Sequence, residues 1–126
     1  LTPDKVAKKL LTFSAHLAIV TCGPEGAIVA TKEGRKSALG HVGVVPTKVK
    51  DTVGAGDAFA GGLLAALVNK GIENEEALQE RTLADFIHIC QFAAASSAAV
   101  CSAYGALAGI RSKEQVKKLQ RKVWPS

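Results

Sequence analysis

Asp51-Thr52-Val53-Gly54-Ala55-Gly56-Asp57-Ala58-Phe59-Ala60-Gly61-Gly62 is the stretch on which the reading of this chain turns. Small residues let a backbone approach a ligand closely, and glycine tolerates conformations closed to other residues. The apolar run that follows predicts a helix from near Gly56 to about Lys70, closed by Gly71 as its C-cap. The first amides of a helix lack internal partners and, with the helix dipole, favour anions. Gly54, Ala55 and Gly56 are therefore candidates to aim N–H groups at phosphoryl oxygens. Asp57 has two readings. It is either a helix cap behind a glycine-rich turn, or a base that takes a proton from an acceptor hydroxyl while the amides hold the transferring group. Two familiar phosphate motifs do not account for the segment. No GxxxxGK[ST] occurs, and GxGxxG begins at Gly54 and Gly56 but meets Phe59 at its third glycine position. The Gly61-Gly62 pair costs roughly 1 kcal/mol per glycine relative to alanine inside a helix, which a closely packed neighbour would justify.

Upstream, Thr2-Pro3-Asp4 predicts a capped helix whose apolar face holds Val6, Leu10, Leu11 and Phe13. Leu17–Val20 and Ala27–Ala30 read as paired strands around the turn Gly23-Pro24-Glu25-Gly26, and Ser37–Val45 as a further strand. Downstream, Asn74 is a cap for a short acidic helix, Leu83–Ser102 a long Ala- and Ser-rich helix ended by Gly105, and Ser112 the cap of a basic helix through Lys122. A chain of 126 residues with this apolar content predicts one domain with a real core and is too short for two.

Composition excludes several classes. Aromatics are 5% of the chain, so base-stacking platforms are missing, and the +5 charge lies mainly in solvated helix faces at the two ends rather than in a nucleic-acid patch. Cys22, Cys90 and Cys101 are odd in number and form no CxxC, which predicts buried thiols in a reducing, cytoplasmic setting. His16, His41 and His88 match no ligand spacing. Phe92–Ala108, broken by Ser96, Ser97, Ser102, Tyr104 and Gly105, falls short of a membrane span. The chain starts at Leu1 and contains no Met, so it is expected to be a piece of a larger protein.

The stretch from Asp51 to Gly62 resembles the DTxGAGDxFxGG motif of the ribokinase (PfkB) family at every specified position. Leu17 to Ala27 is similar to that family's nucleotide-contacting strand and TxGxxG turn, and Gly105-Ala106 with the helix after Ser112 resembles its carboxy-terminal end. The resemblance implies a three-layer α/β/α fold of which residues 1–126 form the C-terminal, ATP-binding part, without the sugar-binding part and lid. It implies phosphorylation of a fructose- or ribose-like hydroxyl by ATP, with Asp57 as base and the amides of Gly54, Ala55 and Gly56 as anion hole. Adenosine and ketodeoxygluconate kinases share nearly the same turn, and a non-catalytic nucleotide-binding fragment is the reading from another class.

By the same resemblance Thr21, Gly23, Pro24, Glu25, Gly26 and Gly56 would line the nucleotide, and residues from about Phe92 to Ala95, Ala93 among them, would sit near the adenine. Asp51, Val53 and Gly105 would frame a monovalent cation (K+) site, and Mg2+ would arrive with ATP. Two positions depart from some relatives: Ala93 stands in place of Asn, and Gly109 in place of Ser. The implied partners are ATP and a small sugar, with neither nucleic acid nor membrane. The missing amino-terminal part would be required for activity, and a homodimer is left open.

Overall fold

A computed structural model describes residues 2–13, 15–46, 52, 54–102 and 112–125. Helix α1 (Pro3–Leu11) starts as the sequence predicts: Thr2 accepts a hydrogen bond from the Lys5 amide at 3.3 Å, and Pro3 occupies the first turn. Its buried face is narrower than expected, made by Ala7 and Leu11, one turn apart. Leu10 is 39% exposed and Phe13 70%. The helix ends at Leu11 and Thr12 caps it, so Phe13 falls outside the helical period that would have turned it inward.

Three antiparallel strands follow in the order β1 (Leu17–Thr21), β2 (Ala27–Glu33) and β3 (Lys36–Val42). The β1–β2 register pairs Thr21 with Ala27, and the β2–β3 register pairs Ala27 with Val42. These three residues therefore lie side by side at one end of the sheet. β3 stops at Val42 rather than Val45, just before Gly43, where a glycine weakens strand continuation. Alternation along the strands gives each face its own core. Ala18 and Ala30, with Val20, Ile28 and Leu39 beside them, pack under α1. Val29 and Val42, with Leu17 and Ile19, face the opposite way.

That second face is covered by the downstream helices: α2 (Ala55–Asn69), α3 (Glu75–Gln79), α4 (Leu83–Cys101) and α5 (Lys113–Val123). α4 is the central element. A reciprocal capping box between Thr82 and Asp85 opens it, and its buried residues include Phe86, Ile89, Cys90, Phe92, Ala95 and Ala98. Ile87 and Leu83 of α4 lie over Gly40 of β3, where a Cβ would come within 2.6 Å of the Ile87 side chain. Across α4 lies α2. A Cβ on Gly62 would meet Ser96 Oγ at 2.5 Å and the Ala93 Cα at 3.2 Å, so the helices touch where the sequence carries its glycine pair. Gly61 faces open space. α5 closes the layer with Val116 and with Gln120, which donates to the His88 carbonyl at 3.1 Å.

The layers are thus helix, sheet and helices, the expected α/β/α arrangement. By length and composition α4 is apolar enough to cross a membrane, more so than the stretch from Phe92 to Ala108 suggests; here half of it is buried as the core helix of the fold.

Candidate nucleotide site

The hairpin turn between β1 and β2 is shaped by its glycines and by its neighbour β3. Gly23-Pro24-Glu25 forms one 3-10 turn. The Cys22 amide donates to the Gly26 carbonyl at 2.7 Å, Glu25 to Cys22 at 3.1 Å and Gly26 to Gly23 at 3.1 Å. Pro24 has no N–H. Among the described residues this leaves the Gly23 amide and the Thr21 hydroxyl as donors the turn can offer outward. Gly26 sits at φ 95°, and a Cβ there would fall 2.0 Å from the Val42 carbonyl oxygen, so both conformation and space demand glycine.

The start of α2 is built on the same principle. Gly54 is the N-cap in the left-handed region, at φ 82° and ψ 0°, and makes no side-chain cap. Asp57 is therefore not the cap; it lies one turn in, exposed, as the acidic residue of the first turn, where the helix dipole favours a carboxylate. Of the three amides expected to face an anion, Ala55 donates to the Thr52 carbonyl at 3.2 Å, whereas Gly56 has no acceptor among the described residues.

Turn and helix start meet at one cavity of about 610 Å³. Its lining takes in Thr21, Gly23, Pro24 and Gly26 from the hairpin, and Ala55 and Gly56 from α2. Glu25, Gly54, Asp57 and Ala93 do not line it. Glu25 is exposed and Ala93 is fully buried against α2. Asp51, Val53 and Gly105 lie outside the described residues. No group of three His, Cys, Asp or Glu able to hold a metal occurs among the described residues.

Several wall residues were not anticipated: Phe59 on α2, Val42 at the end of β3 with the segment that follows to Pro46, and Ser97, Ala98 and Cys101 on α4; Ala94 lies within the Phe92 to Ala95 stretch expected near the adenine. The α4 wall residues follow a helical period, so the sequence held that signal, one position on from Ala93. Nothing local in the sequence says which face of the Ala- and Ser-rich second half of α4 meets the sheet end. The cysteines differ from expectation in burial. Cys90 alone is buried, its thiol pushed up to about 12 by desolvation, while Cys22 and Cys101 are half-buried; all are free.

A layered α/β chain whose hairpin turn and glycine-rich helix start wall one largely apolar cavity has the layout of a small-ligand-binding α/β domain. The model of the pfkB family carbohydrate kinases matches residues 2–113, and the chain belongs to that family. It is 36% identical over 115 residues to the probable fructokinase-6, chloroplastic, of Arabidopsis thaliana, covering 90% of this chain and 27% of the relative. It is 35% identical over 86 residues to the 5-dehydro-2-deoxygluconokinase of Photobacterium profundum, covering 68% of this chain and 25% of the relative. Among solved structures, the fructokinase of Xylella fastidiosa with bound ATP superposes at a TM-score of 0.81 and 25% identity, covering 95% of this chain and 36% of that one. The ribokinase of Thermotoga maritima superposes at 0.67 and 27% identity, covering 96% and 35%. The fold is ribokinase-like, and the chain spans about a quarter to a third of the length of these relatives.

Proposed function

We propose that this chain supplies the nucleotide-binding part of an ATP-dependent sugar kinase. The observation that carries the reading is the single cavity shared by the TxGxxG-like hairpin turn and the first turn of α2. Its apolar walls, from Phe59 and Ala98 among others, suit a purine. Its polar edge, from Thr21 and the Gly23 and Gly56 backbone, suits phosphates. An ATP complex of the Xylella relative, with the same fold, agrees with this.

In the reaction, an acceptor hydroxyl oxygen bonds to the γ-phosphorus of ATP, the bond from that phosphorus to the β,γ-bridging oxygen breaks, and ADP leaves. The hydroxyl proton passes to the Asp57 carboxylate. The amides of Gly54, Ala55 and Gly56 hold the migrating group; Ala55 would share its N–H between the phosphoryl oxygen and Thr52. Fixed backbone donors need no reorganisation as charge develops, which is the main service a protein offers this chemistry. Mg2+ would arrive bound to ATP and neutralise phosphate charge, and the rate in K+ against a larger organic cation reads out the cation site implied at Asp51, Val53 and Gly105.

The relatives include fructokinases and 5-dehydro-2-deoxygluconokinases that match this same portion. We therefore place acceptor choice, and the lid, in the part of such kinases that this chain does not cover. The acceptor we favour is a fructose-like sugar. The test is phosphoryl transfer by the full-length protein. Asp57→Asn should lower kcat by about 10²–10⁴-fold with ATP affinity kept. A variant as fast as the parent would refute the base, and absence of ATP binding by the parent would refute the site.

A further inference from the structure

His41 lies on the exposed side of β3 and matches no metal or catalytic spacing, yet its contact is specific. Its Nε2 lies 2.6 Å from the Glu25 carbonyl oxygen. A carbonyl only accepts, so Nε2 carries the proton and donates, which fixes the ring's tautomer. The carbonyl it holds belongs to the turn that walls the cavity through Gly23, Pro24 and Gly26. Within that turn the carbonyls of Cys22, Gly23 and Gly26 already accept turn hydrogen bonds, and Glu25 is held from outside, by β3.

One residue further along β3, the Val42 carbonyl occupies the space a Gly26 side chain would need. Two adjacent β3 residues therefore clamp the closing half of the turn: Val42 by close approach to Gly26, His41 by a hydrogen bond to Glu25. With Cys22, Glu25 and Gly26 amides used inside the turn, the direction of the remaining Gly23 N–H depends on how this clamp sets the turn.

We propose that His41 is a positioning residue for nucleotide binding: through the Glu25 carbonyl it holds the Gly23–Gly26 turn so that Gly23 N–H and Thr21 face the phosphates. The inference rests on the nucleotide site proposed above. His41 touches neither nucleotide nor acceptor in this role, so its loss acts on affinity and leaves the chemical step alone. A single exposed hydrogen bond of ordinary net worth corresponds to about a 3- to 10-fold change in an equilibrium constant.

The experiment is steady-state kinetics and direct ATP binding with the full-length protein, its His41→Ala and His41→Gln variants, and His88→Ala as a control histidine outside the cavity. The expected result for His41→Ala is an ATP KM and Kd about 3- to 10-fold higher with kcat within twofold. His41→Gln, whose amide N–H₂ can reach the same carbonyl, should recover most of the loss, and His88→Ala should match the parent. ATP binding unchanged in His41→Ala, a fall in kcat with KM intact, or equal losses in the Ala and Gln variants each overturn the positioning role. In those cases the parent still binds ATP and the proposed function stands. A parent that binds no ATP overturns both.

Discussion

At Gly26 a single hydrogen atom in place of a side chain lets the β1–β2 turn lie against β3. The φ of 95° is strained for any L side chain, and a methyl group would sit 2.0 Å from the Val42 oxygen, a contact that cannot be relieved by rotating a flexible group. Gly26→Ala should therefore cost at least about 2 kcal/mol of stability and displace the turn. The checks are the denaturant midpoint and ATP affinity; an unchanged midpoint would show that the turn relaxes freely. Gly23, by contrast, has a positive φ of 55° but open space around it, so only its conformation is at stake.

Cys90 makes its own prediction at this scale. Burial raises its thiol from 9.0 to about 12, because the anion would be stranded among apolar side chains. A group whose folded pKa is raised keeps its full contribution below the unfolded value and loses it as pH climbs towards the folded one. Stability should thus decline between about pH 9 and 12, and Cys90→Ala should show a shallower decline over that window from its own lower starting point. Parallel alkaline melting curves for parent and variant would remove Cys90 as the cause. In the native protein Cys90 should also resist alkylation at pH 8 that modifies Cys22 or Cys101.

The contact between α2 and α4 shows why one glycine of a pair matters and its neighbour does not. Gly62 is buried, with Ser96 and Ala93 where its Cβ would go, whereas Gly61 faces open space on the other side of the same helix. Gly62→Ala should destabilise the chain by about 1–3 kcal/mol by forcing the helices apart. Gly61→Ala should stabilise it by about 0.5–1 kcal/mol, since only backbone entropy and helix propensity change. Thermal melts of the two variants should move in opposite directions, and a shared sign would contradict the packing. Both glycines were legible in the sequence as a helical cost awaiting a packed neighbour. Which of them meets that neighbour was not, because it depends on the rotation of α2 about its axis.

Helix starts were read more securely than strand ends. Thr2, Asn74 and Ser112 cap as read, and Thr82, not singled out in the sequence, caps the helix expected from Leu83; each accepts a bond from an amide three residues on. Capping is local chemistry, decided within four residues. β3 stopping at Val42 and α1 turning Phe13 outward are decided by what lies across from them, and a single segment does not record that.

For the molecule as a whole, the two faces of the sheet are unequally served. α1 covers one and α4 the other, with α2 and α5 packed against α4. Large apolar side chains remain outside: Leu64 is 62% exposed and Val68 58%, one turn apart on α2, and Phe13 stands beyond α1. Two large apolar side chains exposed on one face of α2 favour association in a chain this size. The 126-residue chain by itself should therefore self-associate, and Leu64→Glu with Val68→Lys should shift it towards monomer in sedimentation velocity. A parent chain that stays monomeric at tens of micromolar would count against that face being sticky.

Sequence by itself settled the class: an α/β chain, the caps at Thr2, Asn74 and Ser112, and the Asp51–Gly62 stretch whose resemblance named the family, since caps, turns and glycine spacing are written in consecutive residues. The tertiary structure decided what those residues share. It set the hairpin turn against β3 through Gly26 and His41, placed Gly54 rather than Asp57 at the cap, and chose Ala94, Ser97 and Ala98 over Ala93 as cavity wall. The physical reason is that helix rotation and strand ends follow from volume filled by distant neighbours, and the Ala- and Ser-rich stretch of α4 from Ala93 to Ala99 offers almost the same surface on every side until the sheet and α2 press against it.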